Sequence, residues 1–199
     1  MTEMYVIIKS EMLRKDINYS GGIIMTDKER KQFLKKVYQA AFDYEKDYGF
    51  CSQAVLAALQ DHFAGIDDEV IKGSHALAGG GALKGDGSCG ALVGGMAAIS
   101  CFFGRSRDEF GESDSQLWMG SSILANKVRE RFIEEFGSVI CNKVQEEKFG
   151  RSYNLWNEDD YKAFEEAGGH EDKCPDVTGK VAKWTAEILL DEGIKSKNK

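Results

Sequence analysis

Four of the five cysteines in this chain stand where a helix is predicted to begin. Glycine, serine or proline residues flank each of them, as is typical of helix boundaries. The unpaired N–H groups and the positive dipole end of a helix stabilise a thiolate, so the pattern predicts lowered pKa values and an affinity for anionic groups. Four such positions predict one common centre, built from Cys51, Cys89, Cys141 and Cys174.

The spacing of these cysteines leaves three chemistries open. They are separated by 38, 52 and 33 residues, which matches neither a CxxC redox motif, nor a ferredoxin run, nor paired zinc knuckles. Four thiolates are the usual ligands of a [2Fe–2S] or [4Fe–4S] cluster. Four thiolates also bind zinc, and a pair of thiols can form and break a disulfide without metal. The fifth cysteine, Cys101, lies inside an apolar run and is predicted to be a buried small side chain apart from the centre.

A glycine-rich stretch leads into Cys89. Its glycines leave the main chain open to close approach, and we expect the N–H groups of Gly87 and Gly90 to contact a cofactor. The stretch lacks the GK[ST] ending of a phosphate-binding loop, and no predicted strand precedes it. Among the histidines, only His75 is expected near the centre, whereas His62 and His170 are expected at the surface.

The hydrophobic pattern predicts an all-α, single-domain helical bundle. Thr26 and Glu29 have the spacing of a capping box before an amphipathic run. The run from Cys89 to Phe103 is apolar nearly all round, which predicts a buried central helix. The predicted helices are 27–46, 51–63, 67–77, 89–103, 113–135, 138–147, 158–167 and 175–190.

Residues 1–24 differ from the remainder and are expected to form a flexible N-terminal extension before a helical domain of residues 25–199. The codons for 20–25 can contain a ribosome-binding sequence and a start codon, which makes Met25 a candidate natural start. An ordinary flexible N-terminus is the alternative.

Composition excludes several classes of partner. The formal net charge is −7, and no cluster of lysine and arginine is present, which disfavours nucleic acid and anionic membrane surfaces. No apolar run is long enough to span a bilayer. An odd number of cysteines without a secretory leader favours a cytoplasmic protein with reduced thiols.

The residues around the cysteines resemble the C_GCAxxG_C_C family of redox-active proteins. The CGAxxG motif reads Cys89-Gly90-Ala91-Leu92-Val93-Gly94, and Cys51-Ser52-Gln53-Ala54-Val55, Phe136-Gly137-Ser138 and Cys174-Pro175 extend the likeness over about residues 30–190. By this resemblance the four cysteines named above correspond to the family's four. The chain is also similar to the non-haem part of split-Soret cytochromes, where a related cysteine set accompanies an iron–sulfur centre.

These observations together predict a redox protein with a four-cysteine centre. The expected cofactor is an iron–sulfur cluster that exchanges an electron with a partner protein. A metal-free dithiol protein and a soft-metal-binding module linked to transport are the alternatives; the resemblance adds that family genes are often found near transporter genes. The chain has no CxxCH motif, so no covalent haem is expected.

Overall fold

A computed structural model describes residues 25–111 and 115–197 of the chain. The predicted extension 1–24 and the candidate start before Met25 therefore lie outside the described residues. Within these ranges the chain forms eight α-helices and no strand, which confirms the all-α prediction. The helices are α1 Asp27–Tyr48, α2 Cys51–His62, α3 Asp68–Gly73, α4 Gly90–Phe103, α5 Ser115–Phe136, α6 Cys141–Phe149, α7 Glu158–Glu166 and α8 Cys174–Asp191.

Helix α1 begins at the predicted capping box. The Glu29 N–H donates to the Thr26 hydroxyl over 3.3 Å, and the Thr26 N–H donates to the Glu29 carboxylate over 2.8 Å. Both donors would otherwise be unpaired at a helix start. The helix then lies along α8 and buries its inner face against that helix and α2.

Helix α4 is the central helix, and its small residues explain how closely its neighbours approach. A Cβ on Gly94 would lie 2.6 Å from the Ser52 carbonyl oxygen of α2, and a Cβ on Gly95 would lie 2.7 Å from Val181 of α8. Seven of the 14 residues of α4 are buried, Ser100 is exposed, and the remainder are half-buried, including the last turn. The α4 helix packs against α2, α5 and α8.

Two predicted helices have different bounds in the structure. The predicted helix 67–77 ends at Gly73 and continues as an irregular 3₁₀ segment over His75–Gly80, because Gly79 adopts a positive φ of 58°. The predicted helix 138–147 begins only at Cys141, because the chain before it is extended and Ile140 pairs with Ser88 in an isolated β-bridge. A short π-helical turn, Gly169–Lys173, precedes α8.

Across residues 25–111 and 115–197, no helix has both the length and the apolar character that crossing a bilayer requires.

Candidate functional site

The four predicted centre cysteines line one cavity of about 510 Å³. Cys51 and Cys174 are the first residues of α2 and α8, Cys141 is the first residue of α6, and Cys89 is the N-cap of α4. Cys101 is absent from the cavity wall and packs against the core in the last turn of α4. Helix starts from four parts of the chain therefore meet at a single space.

Cys51 and Cys89 are neighbours in the cavity wall, and the side chain of Cys89 is the largest cause of the raised pKa of Cys51. The backbone of Gly79 acts in the opposite direction on the pKa of the Cys51 sulfur. A Cβ on Gly90 would lie 2.6 Å from that sulfur and 2.8 Å from the Ala78 Cα, so only glycine leaves room for the pair at this position. The first turn of α4 thus lies directly against the first residue of α2.

The glycine-rich loop follows a left-handed path beside the pair. All five residues from Gly79 to Leu83 have positive φ, including the non-glycine Ala82 at 47° and Leu83 at 58°. Such conformations cost about 1 kcal/mol or more for a residue with a Cβ and persist only where the surroundings hold them. Leu83 lines the cavity, so its packing is one contact that holds the turn in place.

Main-chain hydrogen bonds join this loop to the start of α6. The Cys89 N–H donates to the Val139 carbonyl over 2.7 Å, and the Cys141 N–H donates to the Gly87 carbonyl over 2.9 Å. The Gly87 N–H donates to the Gly80 carbonyl over 3.0 Å. That donor is therefore used within the loop, and Gly87 does not line the cavity. The Gly87 carbonyl, through its hydrogen bond from the Cys141 N–H, helps to hold that cysteine in position.

A buried carboxyl group, Glu45, shares the cavity with the thiols. It lies in the last turn of α1, is only 2% exposed, and its Oε2 atom has no hydrogen-bond partner. Burial raises the pKa of Glu45 to about 8, because the charged form loses its hydration. Sequence reasoning missed this residue, although it stands on the apolar face of α1, four residues after the buried Ala41.

Three of the four thiols, those of Cys51, Cys141 and Cys174, have raised pKa values that favour their protonated form. Burial, followed by the charges of Cys51 and Glu45, raises the pKa of Cys141 to about 12. Burial and Glu45 likewise raise the pKa of Cys174 well above its ordinary value, and the hydrogen bond to Cys89 and burial do so for Cys51. The prediction of lowered pKa values at these three helix starts is therefore wrong, because burial and a nearby carboxylate outweigh the helix dipole.

His170 is a second residue that the sequence interpretation placed elsewhere. It was expected in a solvated loop, yet it lines the cavity and its Nδ1 lies 2.5 Å from the Glu165 carboxylate. Its position four residues before Cys174, about one helical turn, was the available signal. His75 does not line the cavity; it stacks on Phe50, which does, with ring centroids 4.0 Å apart.

The cysteines share a cavity without forming a closed ligand set. Within the two described ranges, no group of three or more Cys, His, Asp or Glu side chains is arranged to hold a metal ion. Ligation by Cys51, Cys89, Cys141 and Cys174, with Gly87 and Gly90 as further contacts, therefore stays a prediction.

Comparison with known proteins agrees with the cysteine pattern. The family described as "Putative redox-active protein (C_GCAxxG_C_C)" matches residues 49–188, a span that contains all four cavity cysteines and the loop. The chain belongs to this C_GCAxxG_C_C family. No curated protein and no solved structure matches it.

Proposed function

We propose that this C_GCAxxG_C_C protein is a thiol–disulfide redox protein in which Cys51 and Cys89 form the exchanging pair. The observation that carries the proposal is the close approach of the Cys51 sulfur to the start of α4 at the wall of an open cavity: a Cβ on Gly90, the residue after Cys89, would lie 2.6 Å from that sulfur. A disulfide needs two sulfurs that can reach each other without large backbone movement, and Cys51 and Cys89 are neighbours at this wall.

The two sulfurs are assigned different roles. The side chain of Cys89 raises the pKa of Cys51, so Cys51 is assigned as the thiol that stays protonated until the second step. Cys89 then attacks one sulfur of a substrate disulfide; the other leaves as a thiol after taking up the proton that Cys89 released. Cys51 next attacks the mixed disulfide and releases the second thiol. In sum, two protein thiols and one substrate disulfide become one protein disulfide and two substrate thiols, with two electrons passing to the substrate.

Thiol counting on single variants tests this assignment. Oxidation of the reduced wild-type protein with glutathione disulfide should lower its five free thiols to three, and dithiothreitol should restore them. Cys51→Ser and Cys89→Ser should each abolish this reversible loss of two thiols. Cys101→Ser is the matched control, and it should still lose two. If Cys51→Ser retains an intramolecular disulfide, the pair is assigned wrongly.

An iron–sulfur cluster is the second candidate, favoured by the arrival of four cysteines at one cavity. The donor set fits in number and type, and the cavity has room for a small cluster. Cys51, Cys89, Cys141 and Cys174 would hold it, and it would supply one-electron transfer. Bound iron would offset the negative charge that Glu45 and neighbouring sulfurs impose on each thiolate.

Anaerobic purification distinguishes the candidates. A coloured protein with stoichiometric iron and sulfide, lost in any of the four Cys→Ser variants, would establish the cluster and refute the dithiol proposal. A colourless protein whose four thiols react only after a chelator is added would instead indicate zinc or another soft metal, which is the chemistry of a metal carrier linked to transport. A colourless protein with reactive thiols is the expected result.

The proposal also assigns a setting and a partner. Thiols that serve as electron donors must be kept reduced, which fits the cytoplasm. Reduction of the Cys51–Cys89 disulfide then requires a thiol donor, and a redox partner protein with its own dithiol would supply it.

A further inference from the structure

Glu45 is a buried acid, and no group of the described residues satisfies one of its two carboxylate oxygens. Its Oε2 atom has no hydrogen-bond partner within the described part of the chain, although the side chain lines the cavity. An unpaired buried polar group costs about 1–3 kcal/mol, and a buried charge costs more. A group of this kind in a cavity wall is suited to a bound molecule that supplies the missing donor.

The basic side chains at the cavity wall already have acidic partners. Among the described residues, each lining lysine has an acidic partner that does not line the cavity: Lys46 with Glu171 at 2.5 Å, Lys148 with Asp176 at 2.7 Å, and Lys173 with Asp172 at 4.0 Å. His170 is paired with Glu165. The charge of Glu45 therefore remains available to a ligand.

The remaining wall is suited to a small organic cation. Aromatic rings of Phe50, Phe149, Tyr161 and Phe164 line the cavity, and ring faces attract ammonium groups. The volume of about 510 Å³ lies within the usual size of small-molecule sites, roughly 300–1,000 Å³. A bare metal ion would not use this apolar surface.

We propose that the cavity binds small disulfides and thiols that carry a protonated amine, with the ammonium on Glu45 and the sulfur beside Cys51 and Cys89. This inference rests on the proposed thiol–disulfide function and names the class of its substrate. Glu45 and all four cysteines line the same cavity, so a small aminothiol in that cavity has both the carboxyl group and the thiols as neighbours. An ammonium partner also favours the ionised carboxylate, so binding near pH 7 releases a proton from Glu45.

Three disulfides of similar size and different charge test the inference. Reduced wild-type protein is oxidised with cystamine, 2-hydroxyethyl disulfide or 3,3′-dithiodipropionate, and each rate is divided by the rate with free 2-mercaptoethanol. This division removes intrinsic differences in disulfide reactivity. One charge-assisted contact is worth about 1.5–3 kcal/mol, so the normalised cystamine rate should exceed that of 2-hydroxyethyl disulfide by about tenfold or more. The dithiodipropionate rate should be the lowest.

Variants assign the preference to one residue. Glu45→Gln should reduce the preference for cystamine over 2-hydroxyethyl disulfide to about the preference that free 2-mercaptoethanol shows. The same change at the exposed Glu146 of α6 should leave the preference of the protein intact. Equal normalised rates for the three probes in the wild type would overturn the inference and leave the thiol–disulfide function standing. A preference that survives in Glu45→Gln would also overturn it.

A redox-independent measurement covers the remaining cases. Bound 2-(methylthio)ethylamine should raise the melting temperature of the wild-type protein, and 2-(methylthio)ethanol should not. If none of the three disulfides oxidises the thiols, the thiol–disulfide function fails, and the melting temperatures alone decide whether the amine site exists. If Glu45→Gln does not fold, the melting temperatures of the wild-type protein likewise decide whether the amine site exists. Equal melting temperatures with the two thioethers would overturn the inference.

Discussion

Replacing Glu45 by glutamine should stabilise the protein against unfolding at alkaline pH, and the size of the effect follows from burial. The pKa of Glu45 is about 8 in the folded protein, against an ordinary value of 4.5. Between these values the folded state holds a proton that the unfolded state has released. The free energy of unfolding therefore falls as pH rises from 4.5, and the penalty is complete above pH 8.

The gap between the two pKa values corresponds to about 5 kcal/mol, at about 1.4 kcal/mol for each pKa unit. This is a large share of the roughly 5–15 kcal/mol that stabilises a typical domain. Glutamine has nearly the same shape and does not ionise. Between pH 4.5 and 8.5, the unfolding free energy of Glu45→Gln should therefore increase relative to that of the wild type by about 5 kcal/mol.

Urea denaturation followed by circular dichroism measures this difference. The protein is kept reduced and free of amine buffers, since an amine ligand would itself offset the penalty. The ionisable groups that face Glu45 are the thiols of Cys51, Cys141 and Cys174, whose raised pKa values lie above the range tested. If the curves of variant and wild type run parallel from pH 4.5 to 8.5, Glu45 is not buried as a proton-binding group and the reasoning fails.

Three further substitutions test other parts of the structure. Gly90→Ala should separate the thiol pair by pushing against Cys51 and so slow disulfide formation by glutathione disulfide, whereas Gly73→Ala, with open space around its Cα, should not. Thr26→Ala should lower the free energy of unfolding by about 1 kcal/mol through loss of the α1 cap. The rate of disulfide formation should not change, and a change in that rate would show that the cap also positions the site. Cys101→Ser should leave both the rate and the cavity thiol count unchanged, and any loss would place Cys101 in the centre.

Local signals in the sequence were sufficient to predict most helices. The Thr26 capping box and the glycines after α1 and α5 each mark a boundary that the structure has at nearly the same residue. These signals succeed because capping and positive φ depend on a few neighbouring residues. The short α3 and the late start of α6 were less predictable, since both depend on the path of the glycine-rich loop.

The chemistry of the cavity could not be derived from local signals. Helix starts favour thiolates in isolation, but burial and Glu45 reverse the pKa direction for Cys141 and Cys174. Burial depends on which helices pack together, and α1 approaches α8 from more than a hundred residues away in sequence. A carboxylate on the apolar face of α1 was nevertheless visible beforehand, since Val37, Ala41 and Glu45 recur at helical spacing.

The hydrogen bonds between the loop and α6 determine which mutations the site tolerates. Cys89 and Cys141 are positioned through carbonyl and N–H groups, which every residue except proline carries. Side chains of the exposed loop residues Lys84 and Asp86 contribute none of these bonds, so their identities can vary while the main-chain path is kept. Among relatives, the information that specifies this half of the site should therefore reside in the glycines and in the buried contact of Leu83, and exposed positions such as 84 and 86 are free to adapt the surface to different partner proteins.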